Sequence, residues 1–239
     1  MTGANLRVAG GEVVLIVGAA GVGTSRVVAA ALGELGLVAG RIDVLGRDVG
    51  KLRRSSLRML RRRVGIVPQD LCLLEDRSAQ LNVALPLEID GIPRSISIAR
   101  AGEMLEQLGL ENEAMVPVGR MSASARQRVA VARSLVREPD LILADQPTVS
   151  QDASGCELVC TALAAAASRG AAVLVLGRDP ALLEIADALH WRQLGLIDGT
   201  LSPFGEVALD THSIDDVLVG MESIPTNIIP FPHAEEPAA

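Results

Sequence analysis

The sequence predicts an α/β fold in which a mostly parallel sheet is flanked by helices. Short apolar runs of strand length occur at 12–17, 140–145 and 171–177. Such continuous runs are typical of parallel strands that are buried on both faces. Segments with helical spacing of apolar residues lie between these runs, and alternating strands and helices form α/β folds. The first run also ends in a glycine-rich turn that leads into a helical pattern.

Length and composition limit the possible classes of protein. The 239 residues fit one large α/β domain, with or without a small appendage. A hydrophobic content of 49% with 21% charged residues indicates a globular chain. The net charge of −7 argues against a nucleic-acid partner held by bulk electrostatics.

Cysteine content and hydropathy favour a soluble protein of the cytosol. Three cysteines are too few for a disulfide framework, which favours a reducing compartment. No apolar run approaches the roughly 18 residues that span a bilayer. We therefore expect the protein to reach a membrane only through a partner.

The remaining elements follow in order along the chain. Strands are predicted at 41–46 and at 64–70, where Pro68 breaks the run. Helices are predicted at 25–36, 95–110 and 124–138. Cys156 and Cys160 lie one turn apart in an alanine-rich helical segment, where we expect them to pack in the core.

The end of the chain differs in character. After 196–200 the periodicity fades, and 224–239 is rich in proline without a packing pattern. We predict a domain over 1–200, a C-terminal extension over 201–239 and a flexible tail over 224–239.

The stretch "GAAGVGTSRVV" at 18–28 matches a phosphate-binding loop at all but one position. The pattern is G-x-x-x-x-G-K-[ST], and its small residues are present as Gly18, Gly23 and Ser25, with a further Gly21 inside the loop. Thr24 stands where the pattern has lysine. Losing one charge-assisted contact of about 1.5–3 kcal/mol would weaken phosphate binding by about one to two powers of ten. A tight strand-to-helix turn with inherited glycines is the alternative interpretation.

Two longer segments resemble a known family. Residues 60–91, "LRRRVGIVPQDLCLLEDRSAQLNVALPLEIDG", and 124–148, "SARQRVAVARSLVREPDLILADQPT", are similar to the nucleotide-binding subunits of ATP-binding-cassette (ABC) systems. The resemblance is strongest to the cell-division family FtsE, whose partner is the membrane protein FtsX. It extends over roughly residues 6 to 200, and several ordered motifs are more specific than one glycine loop.

The resemblance implies a P-loop NTPase fold of the ABC type. It further implies a helical subdomain at about 70–138 and, because so few residues precede Gly18, a reduced N-terminal β-subdomain. The implied ligands are ATP and Mg²⁺, and the implied partners are a second copy of the chain and an FtsX-like transmembrane protein. Such a protein would lie in the cytoplasm at the inner face of the cell membrane.

The resemblance also implies roles for individual residues. Ser25, Gln69 and Asp145 would contact Mg²⁺, with Gln69 also sensing the γ-phosphate. Ser122 would cap the phosphate bound by the other subunit of a dimer. Asp152 matches the aspartate of the dimer loop.

Several residues depart from the family pattern where chemistry is expected. Gln146 replaces the glutamate that polarises the attacking water, and an amide cannot act as a general base. Both glycines of the signature motif are replaced, by Ala123 and Ser124, whose side chains occupy space needed for close backbone approach. As a helix start the segment still works, because Ser122 can cap it. Arg178 replaces the switch histidine, either as a fixed charge near a phosphate or as a solvated arginine.

No aromatic residue precedes Gly18, so the sequence offers no ring there to stack on adenine. Together these changes favour a pseudo-ATPase. A slow but genuine ATPase, one half of a composite site, and a subunit of a lipoprotein-releasing or peptide-export system remain alternatives.

The arginine-rich segment 51–63 is either a solvated helix face or a contact with anionic lipid.

Overall fold

A computed structural model describes residues 5–18, 24–197 and 199–204. Gly21 and Gly23 lie outside the described residues, as do the predicted tail at 224–239 and the rest of the extension beyond residue 204.

A six-stranded sheet forms the centre of the fold, in the order β4-β5-β6-β1-β7-β8. Every neighbouring pair is parallel except β7 and β8, which are antiparallel. The prediction of a mostly parallel sheet is therefore confirmed. The strands are β1 Val13–Gly18, β4 Val64–Val67, β5 Leu141–Asp145, β6 Ala172–Leu176, β7 Arg192–Ile197 and β8 Thr200–Pro203.

Seven α-helices surround the sheet in the described part of the chain. They are α1 Thr24–Ala31, α2 Arg54–Arg61, α3 Ala79–Ile89, α4 Arg94–Gln107, α5 Ala123–Leu135, α6 Ala153–Ser168 and α7 Pro180–Ala188. A separate two-residue hairpin pairs β2 Asp43–Val44 with β3 Arg47–Asp48.

Two hydrophobic cores lie against opposite faces of the sheet. In β1, Leu15 belongs to the larger core with α3–α7, while Val14 and Ile16 belong to the smaller core with α1 and α2. Successive strand residues point to opposite faces, so burial on both faces requires an unbroken apolar run. Cys156 and Cys160 are fully buried in the larger core, as predicted.

Several element boundaries were predicted wrongly. The helix predicted over 25–36 ends at Ala31, because Gly33 adopts a left-handed φ of 69° at a point where a Cβ would lie 2.9 Å from the Leu57 side chain. The run 41–46 forms only the first arm of the β2–β3 hairpin. The sequence shows no periodicity after 196–200, yet β8 begins at Thr200 and continues the sheet to Pro203.

The arginine-rich segment contributes to packing between elements. Arg61 pairs with Glu34 at 3.7 Å, Arg62 with Asp90 at 3.6 Å and Arg63 with Asp140 at 2.7 Å. These contacts favour the solvated-face interpretation, while lipid contact stays a prediction. Among the described residues, no helix combines the length and apolar character needed to cross a membrane.

Candidate nucleotide site

The carboxyl ends of four parallel strands bring the predicted site residues to one edge of the sheet. β1 ends at Gly18, β5 ends at Asp145, and Gln69 and Arg178 follow β4 and β6 by two residues. Ligands of open α/β sheets bind at this edge. Residues that are far apart in the sequence therefore meet because their strands are parallel.

The three residues predicted to contact Mg²⁺ line a single cleft of about 910 Å³. Ser25 comes from the first turn of α1, Gln69 from the loop after β4 and Asp145 from the end of β5. Arg133 of α5 and Arg137, two residues after the end of α5, line the same cleft, so it also touches a helix packed on the sheet.

Asp145 is the most buried of these groups, with 4% of its surface exposed. Burial raises the pKa of its carboxyl group, while the nearby Ser25 hydroxyl acts in the opposite direction. Its Oδ1 atom is buried and has no hydrogen-bond partner among the described residues. A buried carboxylate oxygen without a partner is costly unless a cation or a donor satisfies it.

A magnesium ion fits this set of donors. Carboxylate, hydroxyl and amide oxygens are hard ligands of the kind that Mg²⁺ prefers, and Mg²⁺ is usually held by one or two protein groups together with nucleotide phosphates. Asp145 and Ser25 would hold the ion, and Gln69 lines the cleft beside them. When bound to a nucleotide, such an ion neutralises charge on the β- and γ-phosphates.

The phosphate side of the site is less complete. α1 begins at Thr24, six residues after β1 ends at Gly18. A helix amino terminus favours an anion. However, Thr24 supplies no cation, and Arg26 is exposed one residue after Ser25.

Gln146 has an unusual backbone conformation directly after Asp145. Its φ is +55°, in the left-handed region that non-glycine residues seldom adopt. Its N–H donates to the carbonyl oxygen of Leu176 at 2.8 Å, and its own carbonyl oxygen accepts from Gln127 Nε2 at 2.7 Å. Hydrogen bonds thus fix the backbone at the position where the family pattern has a general base, but the side chain there is an amide.

The signature segment is used as a helix start. Ser122 is the N-cap of α5, and its Oγ accepts from the N–H of Ala125 at 3.1 Å. The prediction that this serine can cap the helix is confirmed. Its role toward the nucleotide of a second subunit stays a prediction.

Asp152 also caps a helix, the one that follows the dimer-loop position. Its carboxylate accepts from the N–H of Gly155 at 2.8 Å and from the Ser154 hydroxyl at 3.1 Å. The hydrogen bond from Gly155 is the main reason that the pKa of Asp152 lies below its usual value. Arg178 is exposed at the end of β6 and makes no ion pair within the described part of the chain.

Sequence reasoning missed the importance of Gln127 and Gln151. Gln127 is only 2% exposed, and its side chain contacts Gln146, Ser150 and Gln151. In the sequence Gln127 stands between Arg126 and Arg128, at a position that the family signature also carries, but this did not reveal its partners.

The comparison with protein families decides the assignment. The family described as ABC transporter matches residues 1–149. The chain belongs to the ABC transporter family. Its fold is that of an ABC ATP-binding cassette, as the sequence predicted, and the family binds ATP.

Related proteins point to transport systems. The cassette is 36% identical over 188 residues to the lipoprotein-releasing system ATP-binding protein LolD of Neorickettsia sennetsu. The alignment covers 76% of this chain and 80% of LolD. It is 38% identical over 152 residues to the methionine import ATP-binding protein MetN of Brucella abortus, covering 64% of this chain. The chain spans 41% of the length of MetN. These relatives support an ABC cassette without distinguishing the FtsE family.

Solved structures support the same fold. The dimeric structure of MJ0796, a bacterial ABC transporter cassette, matches with a TM-score of 0.76 and 29% identity, over 83% of this chain and 87% of that one. A dimer of MJ0796 in a post-hydrolysis state with ADP and Pi matches with a TM-score of 0.75.

Proposed function

We propose that this cassette is a degenerate ABC nucleotide-binding subunit, a pseudo-ATPase that hydrolyses ATP very slowly or not at all. The observation that carries the proposal is the amide of Gln146 directly after the buried Asp145 at the end of β5. A carboxylate at position 146 could accept a proton from water, whereas an amide cannot.

The missing lysine adds to this effect. Thr24 brings no positive charge to the phosphates, and charge-assisted contacts are most valuable where charge develops in the transition state. The changes at positions 24 and 146 affect different parts of the reaction, namely the phosphate and the attacking water. We therefore infer that their effects on the rate combine.

The metal side of the site is retained. Asp145, Ser25 and Gln69 line one cleft, and the unpartnered Oδ1 of Asp145 suits a divalent cation. We therefore propose weak, Mg²⁺-dependent nucleotide binding, with nucleotide acting as a structural ligand.

We further propose that the cassette works as a homodimer on an FtsX-like transmembrane protein in bacterial cell division. It would then lie in the cytoplasm, at the inner face of the cell membrane. The similarity of segment 60–91 to the FtsE family supports this partner, and the dimeric cassettes of similar fold support the homodimer.

A second candidate is a slow but genuine ATPase that serves an FtsX-type partner or a lipoprotein or peptide exporter. The similarity to LolD over 76% of this chain favours it. The adjacent gene would help to separate the two roles, because an FtsX-like permease favours division and a larger exporter permease favours transport.

Phosphate release by the purified dimer or complex tests the loss of hydrolysis. We expect the native protein to remain at background and the Thr24→Lys/Gln146→Glu variant to exceed it by at least about tenfold, because both lost functions return. Gln107→Glu, an exposed glutamine at the end of α4, is the control for adding a carboxylate elsewhere. Mg²⁺-dependent turnover by the native protein that Asp145→Ala abolishes, at a rate equal to that of the Thr24→Lys/Gln146→Glu variant, would overturn the proposal.

Binding is measured separately with a fluorescent ATP analogue. We expect binding that plain ATP competes away, that requires Mg²⁺ and that Asp145→Ala abolishes. Absence of competable binding up to millimolar nucleotide would leave the cassette as a docking module without a ligand. Co-purification with an FtsX-like membrane protein tests the partner, and retention only by an exporter permease would contradict the division role.

A further inference from the structure

Ser124 and Gln151 make two reciprocal hydrogen bonds across 27 positions of the chain. The Ser124 hydroxyl donates to Gln151 Oε1 at 3.0 Å, and Gln151 Nε2 donates to the carbonyl oxygen of Ser124 at 3.0 Å. Ser124 lies in the first turn of α5, and Gln151 lies in the loop between β5 and α6. The pair therefore connects two segments that are far apart in the sequence.

Gln127 extends this connection into the core. Its Oε1 accepts from the N–H of Ser150 at 3.0 Å and from Gln151 Nε2 at 3.1 Å. Its Nε2 donates to the carbonyl oxygen of Gln146 at 2.7 Å. Both ends of a nearly buried amide are thus satisfied, which favours a single arrangement of the network.

Gly155 provides the space that this arrangement needs. A Cβ at position 155 would lie 2.3 Å from Gln151 Oε1, far closer than any real contact. Glycine at this position of α6 therefore fits the Gln151 side chain as it stands. The Gln151 side chain in the loop therefore depends on both neighbouring helices. It hydrogen-bonds Ser124 of α5, and it occupies the space left by the missing side chain of Gly155 in α6.

The network also explains how Gln146 keeps its left-handed backbone. Such a conformation costs a non-glycine residue free energy and persists only where surrounding contacts fix it. Three hydrogen bonds do so here: the Gln146 N–H donates to Leu176, and the Gln146 carbonyl oxygen accepts from Gln127 and, at 3.4 Å, from the N–H of Val149. Gln127 is in turn oriented by Gln151 and Ser150.

We propose that Ser124, Gln127 and Gln151 form a polar clasp that positions Gln146 and makes the start of α5 and the loop 146–151 move as one body. The clasp turns the Ser124 side chain inward, toward its own chain. Its relevance to the nucleotide site rests on the function proposed above. The clasp itself is tested without nucleotide, so its failure and that of the pseudo-ATPase proposal are distinguishable.

Amide hydrogen exchange in the full chain, followed by NMR, tests the clasp. In Gln151→Leu we expect the Ser150 amide to exchange roughly tenfold faster, which corresponds to the loss of about one hydrogen bond. Ser124→Ala has a smaller effect of the same kind. Because Ser124 acts through Gln151, Ser124→Ala should add nothing in the Gln151→Leu background.

Three further variants separate positioning from a general loss of stability. Ser124→Thr keeps the hydroxyl, so the Ser150 and Gln146 amides should exchange at their native rates. Ser154→Ala removes a neighbouring hydroxyl that, among the described residues, bonds Asp152 alone, and it should leave the Ser150 and Gln146 amides unchanged. Gly155→Ala should accelerate the same amides as Gln151→Leu, but it should add nothing in the Gln151→Ala background.

Two results would overturn the clasp. One is independent, multiplicative effects of Ser124→Ala and Gln151→Leu on exchange. The other is acceleration spread evenly over the chain, with the same variants lowering global stability in urea to match, since that would indicate ordinary core contacts.

Discussion

The guanidinium of Arg133 donates from Nη2 to the carbonyl oxygen of Leu71 at 2.5 Å. Its Nη1 donates to the carbonyl oxygen of Cys72 at 2.6 Å. Leu71 and Cys72 have φ values of 58° and 46°, so two consecutive non-glycine residues are left-handed. They directly follow the loop that carries Gln69. Arg133 of α5 therefore holds the backbone that presents Gln69 to the cleft.

Replacing Arg133 with methionine should destabilise the protein by about 2 kcal/mol, because the aliphatic stem is kept while the charged donors to the carbonyl oxygens of Leu71 and Cys72 are lost. Urea unfolding measures the change. Arg94→Met is the control: Arg94 pairs with Glu88 on the surface, its side chain is 64% exposed, and its loss should cost well under about 1 kcal/mol. Equal losses in the two variants would contradict the role given to Arg133.

Ser122→Ala should cost about 1 kcal/mol of stability, because α5 loses its N-cap hydrogen bond to Ala125. Ser122→Asp should retain most of it, since a carboxylate also caps and suits the positive end of the helix. Thermal unfolding measures both. Ser95→Ala, at an exposed serine near the start of α4, should change little. If Ser122→Asp were as unstable as Ser122→Ala, capping would not be the function of this side chain.

Cys72 should react slowly with iodoacetamide near neutral pH. A hydrogen bond to Asp70 and partial burial raise the pKa of its thiol, while Arg133 acts in the opposite direction. A raised pKa leaves less thiolate at a given pH, and the thiolate is the nucleophile. Asp70→Asn removes the negative charge, so the rise of the alkylation rate should shift to lower pH.

Cys156 and Cys160 are buried, so alkylation of the folded protein reports on Cys72. Asp76→Asn removes an exposed charge nearby in sequence and serves as the control. An unchanged pH profile in Asp70→Asn would show that Asp70 does not set the pKa of this thiol.

Gly65→Ala should destabilise the fold by about 3 kcal/mol. A Cβ there would lie 2.4 Å from the carbonyl oxygen of Ser134 and 2.9 Å from the ring of Pro139, so β4 and α5 would have to separate. Gly36→Ala is the matched control, because a Cβ at that exposed glycine meets nothing within 4 Å. Chemical denaturation compares the two, and similar stability in both variants would refute the close packing at Gly65.

Local sequence patterns predicted the sheet better than the helices around it. The β-strands at 12–17, 140–145 and 171–177 were recognisable because burial on both faces demands unbroken apolar residues. α3 was not predicted as a helix: it is apolar on several faces and contains Pro86, so it has no amphipathic period. β8 is short, edge-positioned and half-buried, which leaves little pattern to detect.

The sequence alone determined the identities on which the chemistry depends: Thr24 in place of lysine, Gln146 in place of glutamate, and a loop, strand and helix order that places Asp145 at a strand end. Only the tertiary structure decided which partners the polar side chains take. Asp145 is buried with an oxygen left unpaired among the described residues, Ser122 and Asp152 cap their own helices, and Ser124 meets Gln151. Hydrogen-bond partners 27 residues apart depend on how α5 packs beside the end of β5, and no local pattern records that packing.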